Sequence, residues 1–193
     1  LRDLLEQNNL SDLDKYNIYS ILAQAATNMQ QFENAISYLK KSLEVGLKPE
    51  KIYRNKFLLS QLYERKKIKD TAFTEYSEII DFNRKIPREF YIQSFLKKSN
   101  VTDSLSLSVS ELSDLIKDFE NNKFLDIINF QLAKLYLNEY KLKEQKEFEL
   151  KSIGFFNKSL EQNSSDNYLV SRNYLNLAEI NFNNKNYFEA GLY

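Results

Sequence analysis

Glu111, Asp114 and Asp118 recur at three- and four-residue spacing, which on a helix places three carboxylates on one stripe. Such a stripe could hold a cation or pair a general acid with a carboxylate base. Asp12 and Asp14 resemble the opening of a calcium loop, but the Gly and the terminal bidentate Glu that such a loop needs are missing. With Ser11 they read instead as the cap of a helix running through Tyr16 to Met29. The chain contains no His and no Cys, which removes the usual nucleophile–base pairs and thiolate metal sites. A Ser–Lys pair would need a pocket that the pattern does not suggest, and no Gly-rich phosphate loop occurs. The acidic stripe therefore reads as a solvated face. The expectation is a non-enzyme with no cofactor, no metal and no catalytic residue.

A second cluster, Arg65, Lys66, Lys67 and Lys69, could bind RNA or an anionic lipid surface. Aromatics suited to base stacking are not interleaved with it. Lys plus Arg equals Asp plus Glu at 27 each, so the whole chain makes no electrostatic case for nucleic acid. Within it, residues 51–100 carry 12 basic and 6 acidic groups, and residues 101–150 carry 6 and 10. Nucleic-acid binding through the basic stretch stays as a disfavoured alternative. No apolar run approaches the roughly 18 residues of a membrane span. Membrane contact would need an anchor outside this sequence, which opens at Leu1 without Met and ends at Tyr193 in a helical pattern. It reads as a segment of a longer protein.

The elements that carry these groups are helices. Hydrophobic residues make up 42% and aromatics 14%, enough for a substantial core, while only three Gly and two Pro occur. That is far below the usual share of about one residue in eight. The string Ala35 to Leu43 returns, chemically rewritten, as Ser152 to Leu160, and repetition of a helical pattern points to stacked units. In the first unit Tyr19, Leu22, Ala23 and Ala26 mark one helix face, and Asn28 to Gln31 form a polar break. Phe32, Ala35, Leu39 and Leu43 mark a second helix, closed by Gly46, Leu47 and Pro49. The pattern recurs 37 residues on with Leu59, Ser60 and Tyr63, then Ala72, Tyr76 and Ile79, closed by Pro87. Ala23, Ala35, Ser60 and Ala72 are small because helix axes pack only about 8–10 Å apart.

The third unit is degraded. Phe90, Tyr91, Phe95 and Leu96 fit its first helix, and Leu112, Leu115, Ile116 and Phe119 its second. Leu105, Leu107 and Val109 alternate with Ser like a strand, but with no partner strand the expectation is a helix starting near Ser104 or Ser106, after a loop at Asn100 to Asp103. The fourth unit has Leu132, Ala133 and Tyr136, then Ser152, Phe156 and Leu160. Its small positions are 19 apart instead of 12, about two helical turns more. Gly154 costs its helix about 1 kcal/mol against Ala, which predicts close contact with a neighbouring helix. The fifth has Tyr174, Leu177, Ala178, Tyr187 and Ala190. The units run about 12–49, 50–87, 88–122, 123–165 and 166–193, with 1–9 the tail of a preceding helix.

These small and aromatic positions (Ala23, Ala35, Phe32 and the closing Pro; Ala178, Tyr187, Ala190) resemble the tetratricopeptide repeat over some 180 residues. The front aromatic is Tyr19 and Tyr174 in two units but Lys56 and Asn129 in others. The resemblance implies a right-handed superhelical solenoid of about five antiparallel helix pairs. More narrowly, Asn173 to Ala190 and Asp118 to Tyr136, with the Asn and Lys bias, resemble the tetratricopeptide lipoproteins of Bacteroidota type IX secretion and gliding motility. That resemblance implies an outer-membrane-anchored periplasmic adaptor; without it a cytoplasmic location is expected.

In stacked hairpins the first helices line the concave wall. Their outward positions are Asn17, Gln24 and Asn28, then Arg54, Gln61 and Arg65, then Lys134 and Asn138, then Arg172 and Glu179. Amide and guanidinium groups suit peptide backbone and carboxylates. Phe57, Phe130, Leu137, Leu175 and Phe182 fall near the same wall. The carboxylate clamp of chaperone-tail receptors has no counterpart, since Ser20 and Gln24 stand there. The expected function is a scaffold holding a partner's extended peptide or helix; the alternative is a rigid spacer with no partner site.

Overall fold

The computed structural model describes residues 10–193, so the helix tail expected over 1–9 lies outside the described residues. Ten α-helices follow one another: α1 (Asp12–Asn28), α2 (Phe32–Glu44), α3 (Pro49–Arg65), α4 (Lys69–Asp81), α5 (Arg88–Val101), α6 (Leu105–Lys117), α7 (Leu125–Lys143), α8 (Lys146–Glu161), α9 (Asn167–Asn183) and α10 (Tyr187–Ala190). Helix accounts for 83% of the chain described, with no strand among those residues. The described helices pack as sequential pairs in two compact units, residues 10–103 and 104–193.

Local chemistry sets the helix ends. Ser11 and Asp14 form a reciprocal capping box at α1, in which each side chain accepts from the other's backbone N–H. Gly46 takes φ +81° just past α2, the left-handed conformation that favours glycine. Pro49, expected to stop α2, is the first residue of α3, where its missing N–H costs nothing. Ser104 caps α6, so the Leu–Ser alternation is helical as expected. The helix ends at Lys117, however, and Phe119 stands 78% exposed in a 3-10 turn outside the core.

Repetition extends to the backbone. Gln30, Lys67 and Lys185 hold the same left-handed conformation (φ 59°, 61° and 63°) in the turns α1–α2, α3–α4 and α9–α10. The turn hydrogen bonds match as well: Gln31 N to Ala26 O, Ile68 N to Tyr63 O and Asn186 N to Asn181 O. Those offsets are 37 and 118 residues. The rewritten string behaves likewise, with Ala35, Leu39 and Ser42 fully buried in α2 and Ser152, Phe156 and Ser159 buried in α8.

In residues 10–103 the small residues Ala23, Ala35, Ser60 and Ala72 are all inaccessible to solvent, as close helix crossing requires. Asn55 of α3 donates to Ser20 of α1 (2.6 Å) and Ser42 of α2 (2.9 Å), and Ser20 passes the chain on to Tyr16 O. Lys56 is buried between Glu75 (2.8 Å) and Glu78 (2.6 Å) of α4. Burial alone would lower its pKa; the two carboxylates outweigh that and hold it above the ordinary lysine value. Tyr76, wholly buried, donates to Glu64 at 2.7 Å; burial first, and that contact second, push its phenol far above the usual range.

Residues 104–193 carry their own versions. Ser152 donates to Ala133 O at 3.0 Å, so the two small positions 19 residues apart face each other despite the longer helices. Asn173 of α9 donates to Ser159 of α8 (3.0 Å), which donates to Asp126 O of α7 (2.8 Å). This is the Asn55–Ser42 junction again. Gly154 differs from expectation: a Cβ there would meet nothing within 4 Å, so no neighbouring helix requires it. Its counterpart in the first string, Ser37, is likewise exposed.

Candidate functional site

Helices α1, α3 and α5 border an open groove of about 480 Å³ in residues 10–103; α5 packs on α4 and α3. From α1 come Ser20, Ile21 and Gln24; from α3 come Arg54, Asn55, Phe57, Leu58 and Gln61; from α5 comes Phe90. These residues share one face because α1 and α3 present positions three and four apart toward it. A narrower extension of about 180 Å³ shares Phe57, Gln61 and Phe90 and adds Glu89 and Gln93.

The floor is aromatic and rigid. Phe90 meets Tyr53 edge-on at 4.7 Å and Phe57 at 5.4 Å, and Phe57 meets buried Tyr76 at 5.8 Å. Polar groups rim it. Gln24 donates to Asn28 at 3.0 Å, and Arg54 Nε donates to the Tyr53 hydroxyl at 3.1 Å. Asn55 is committed to its junction, so the groove's adaptable amides are Gln24, Gln61 and Gln93.

Of the residues picked out as partner-binding, Gln24, Arg54 and Gln61 converge in this groove, and Asn28 joins through Gln24. Asn17 is exposed on α1 but does not line it. Arg65 lies elsewhere, with its guanidinium 4.4 Å from the Phe32 ring centre at the hairpin turn. Ile21, 52% exposed, and Phe90 belong to the groove although neither stood out as a binding residue. The period that marks a core face says nothing of a residue on the opposite edge, which is why Ile21 was missed.

In residues 104–193, α7 and α9 border a smaller cavity of about 120 Å³, where Glu179, expected to bind a partner, lines the wall with Leu137, Lys141 and Asn183. Phe130 packs on buried Phe156 at 5.7 Å, and Arg172 lies 6.0 Å from the Phe130 ring centre. Leu137, expected near the binding wall, is 3% exposed in the core. Lys134 is half-buried: burial, then Lys141 and Arg172, lower its pKa, and Glu179 partly offsets them. Asn138 is exposed, and Phe182 is turned outward against Tyr187 at 5.3 Å.

The remaining clusters are engaged structurally. Asp114 pairs with Lys117 at 2.7 Å and Asp118 accepts from Glu120 N, and no metal-ligating group of three forms among the described residues. In the basic cluster Lys66 pairs with Glu33, and Lys69 with Asp103 at 2.8 Å. Glu149 of α8 is 1% exposed. Burial would raise its pKa, but donors from Lys146, Asn184 and Tyr140 hold it below the ordinary carboxylate value.

No helix among the described residues is long and apolar enough to cross a membrane. The sequence matches no protein-family model and no curated protein.

Proposed function

We propose that the chain is a non-catalytic protein-interaction module of the tetratricopeptide type, and that the α1–α3–α5 groove holds an extended partner peptide. The groove itself carries this reading: an aromatic floor that can bury a partner's apolar side chain, rimmed by side-chain amides and one guanidinium that can meet its backbone and charges. The three residues Gln24, Arg54 and Gln61 are the binding set. Asn17, Arg65, Phe130, Lys134, Asn138, Arg172, Glu179 and Phe182 are not needed for it.

Panning a phage library of random seven-residue peptides on the immobilised protein tests the reading. Peptides are expected to emerge whose affinity falls at least about tenfold with Ile21→Glu, which puts a charge on the exposed edge of an apolar floor. Phe119→Glu, at an exposed residue away from the groove, serves as control and leaves binding unchanged. No enrichment, or indifference to Ile21→Glu, contradicts the proposal.

A spacer role is the second reading for residues 104–193, where Arg172 lies over the Phe130 ring at 6.0 Å and the cavity between α7 and α9 is only about 120 Å³. An adaptor role in a type IX secretion or gliding-motility machine would combine the two, a binding unit and a spacing unit on an anchored chain. Its support is the residue texture of Asn173 to Ala190 and Asp118 to Tyr136, and recovery of the full-length protein with the outer-membrane fraction is the expected result. Nucleic acid gains no support, since Lys66 and Lys69 are ion-paired and Arg65 is stacked on Phe32.

A further inference from the structure

We infer that the groove reads charge as well as shape, and selects a segment with a carboxylate at one end, an apolar side chain in the middle and a Lys or Arg at the other. The inference rests on the peptide-groove reading and adds the chemical class of the peptide. It follows from how charge is distributed along the two compartments. Arg54 lines only the wider one and Glu89 only the narrower one, while Phe57, Gln61 and Phe90 line both. The groove therefore has a cationic pole, a shared aromatic centre and an anionic pole.

Both poles are built to act on a ligand. Arg54 is exposed, and its guanidinium is aligned by Tyr53 through the Nε–hydroxyl bond at 3.1 Å and a 5.8 Å approach to the ring. That bond uses Nε and leaves the two Nη groups to pair with a ligand's carboxylate, the geometry at which Arg excels. Tyr53 in turn packs edge-on against Phe90 at 4.7 Å, so the cationic pole is fixed to the floor. Glu89, next to Phe90 in sequence, is exposed, and no ion pair among the described residues neutralises it. Its neighbour Arg88 lies over the Tyr91 ring, 4.4 Å from the centre. A peptide with one charge of each sign would satisfy both poles. A uniformly acidic or basic peptide would meet one pole favourably and the other with repulsion.

The test uses four acetylated, amidated peptides measured by fluorescence polarisation at low salt. All have Leu flanked by Ser spacers; the ends are Asp and Lys, Asp and Gln, Asn and Lys, or Asn and Gln. Each is made with one- and two-residue spacers. The Asp–Lys peptide is expected to bind best. Arg54→Gln should weaken only the Asp-containing peptides and Glu89→Gln only the Lys-containing ones, each by about three- to fivefold, the scale of an exposed ion pair. Both substitutions are at exposed positions, and unchanged circular dichroism verifies the fold. Equal binding of all four peptides overturns the charge order while the groove reading stands. Binding by none overturns both.

Discussion

At Asn55 one amide ties three helices together, and Asn55→Ala removes both bonds it donates, although the Ser20 and Ser42 hydroxyls keep their own bonds to Tyr16 O and Leu39 O. A loss of about 1–3 kcal/mol is expected for the two bonds, read as a lower urea midpoint, and Asn173→Ala should cost less, since it also removes a buried side-chain oxygen that has no partner. Gly154 predicts the opposite sign. With open space around the site, Gly154→Ala should stabilise by up to about 1 kcal/mol, seen as a melting temperature higher by a few degrees. The sequence contained the clue to this, because Gly154 aligns with Ser37 and not with a small buried position. The buried small positions were legible since Ala23, Ala35, Ser60 and Ala72 recur with apolar neighbours at helical spacing. The Asn–Ser junction was not, because a buried amide and an exposed one look the same in a sequence rich in Asn.

Between elements, the α3–α4 contact contains a buried cation. Lys56→Met removes the positive charge from between Glu75 and Glu78, and Glu75 is only 18% exposed at its side chain. The expected cost is about 3 kcal/mol, because an uncompensated carboxylate is left in a poorly solvated place. Adding Glu75→Leu and Glu78→Gln should recover most of it, a pattern readable in the urea midpoints of the two variants. Helix existence and pairing were legible from periodicity, down to the start of α6 beside Ser104. Faces were less so. On α5 the sequence favoured Phe90, Tyr91, Phe95 and Leu96; Leu96 is buried as expected, but the other buried apolar residues are Ile92 and Val101, with Ser94, Lys98 and Ser99 buried beside them. That helix touches both α3 and α4, so two sides are covered and a single-stripe reading fails.

For the whole molecule, circular dichroism should report helix for about four-fifths of the chain, in line with 83%. Acid stability should show the Glu149 junction. A carboxyl held below its ordinary value of 4.5 stabilises the fold above that pH, and this contribution is lost as pH falls toward the depressed pKa. Melting temperature should therefore drop below about pH 4.5, and Glu149→Gln should flatten that slope at the expense of stability near neutrality. Which face binds was only partly readable from sequence: the first-helix positions Gln24, Arg54 and Gln61 meet in one groove, whereas Phe130 and Arg172 pack on one another. Spacing placed all of them on first helices. It could not say where a neighbouring aromatic fills the space. The central claim, that partners lie along α1, α3 and α5, is tested most directly by amide and methyl NMR of the labelled protein with the Asp–Leu–Lys peptide. Shifts concentrated at Ile21, Gln24, Arg54, Leu58, Gln61 and Phe90 are predicted. Shifts confined to α7–α10, or none at saturating peptide, would contradict it.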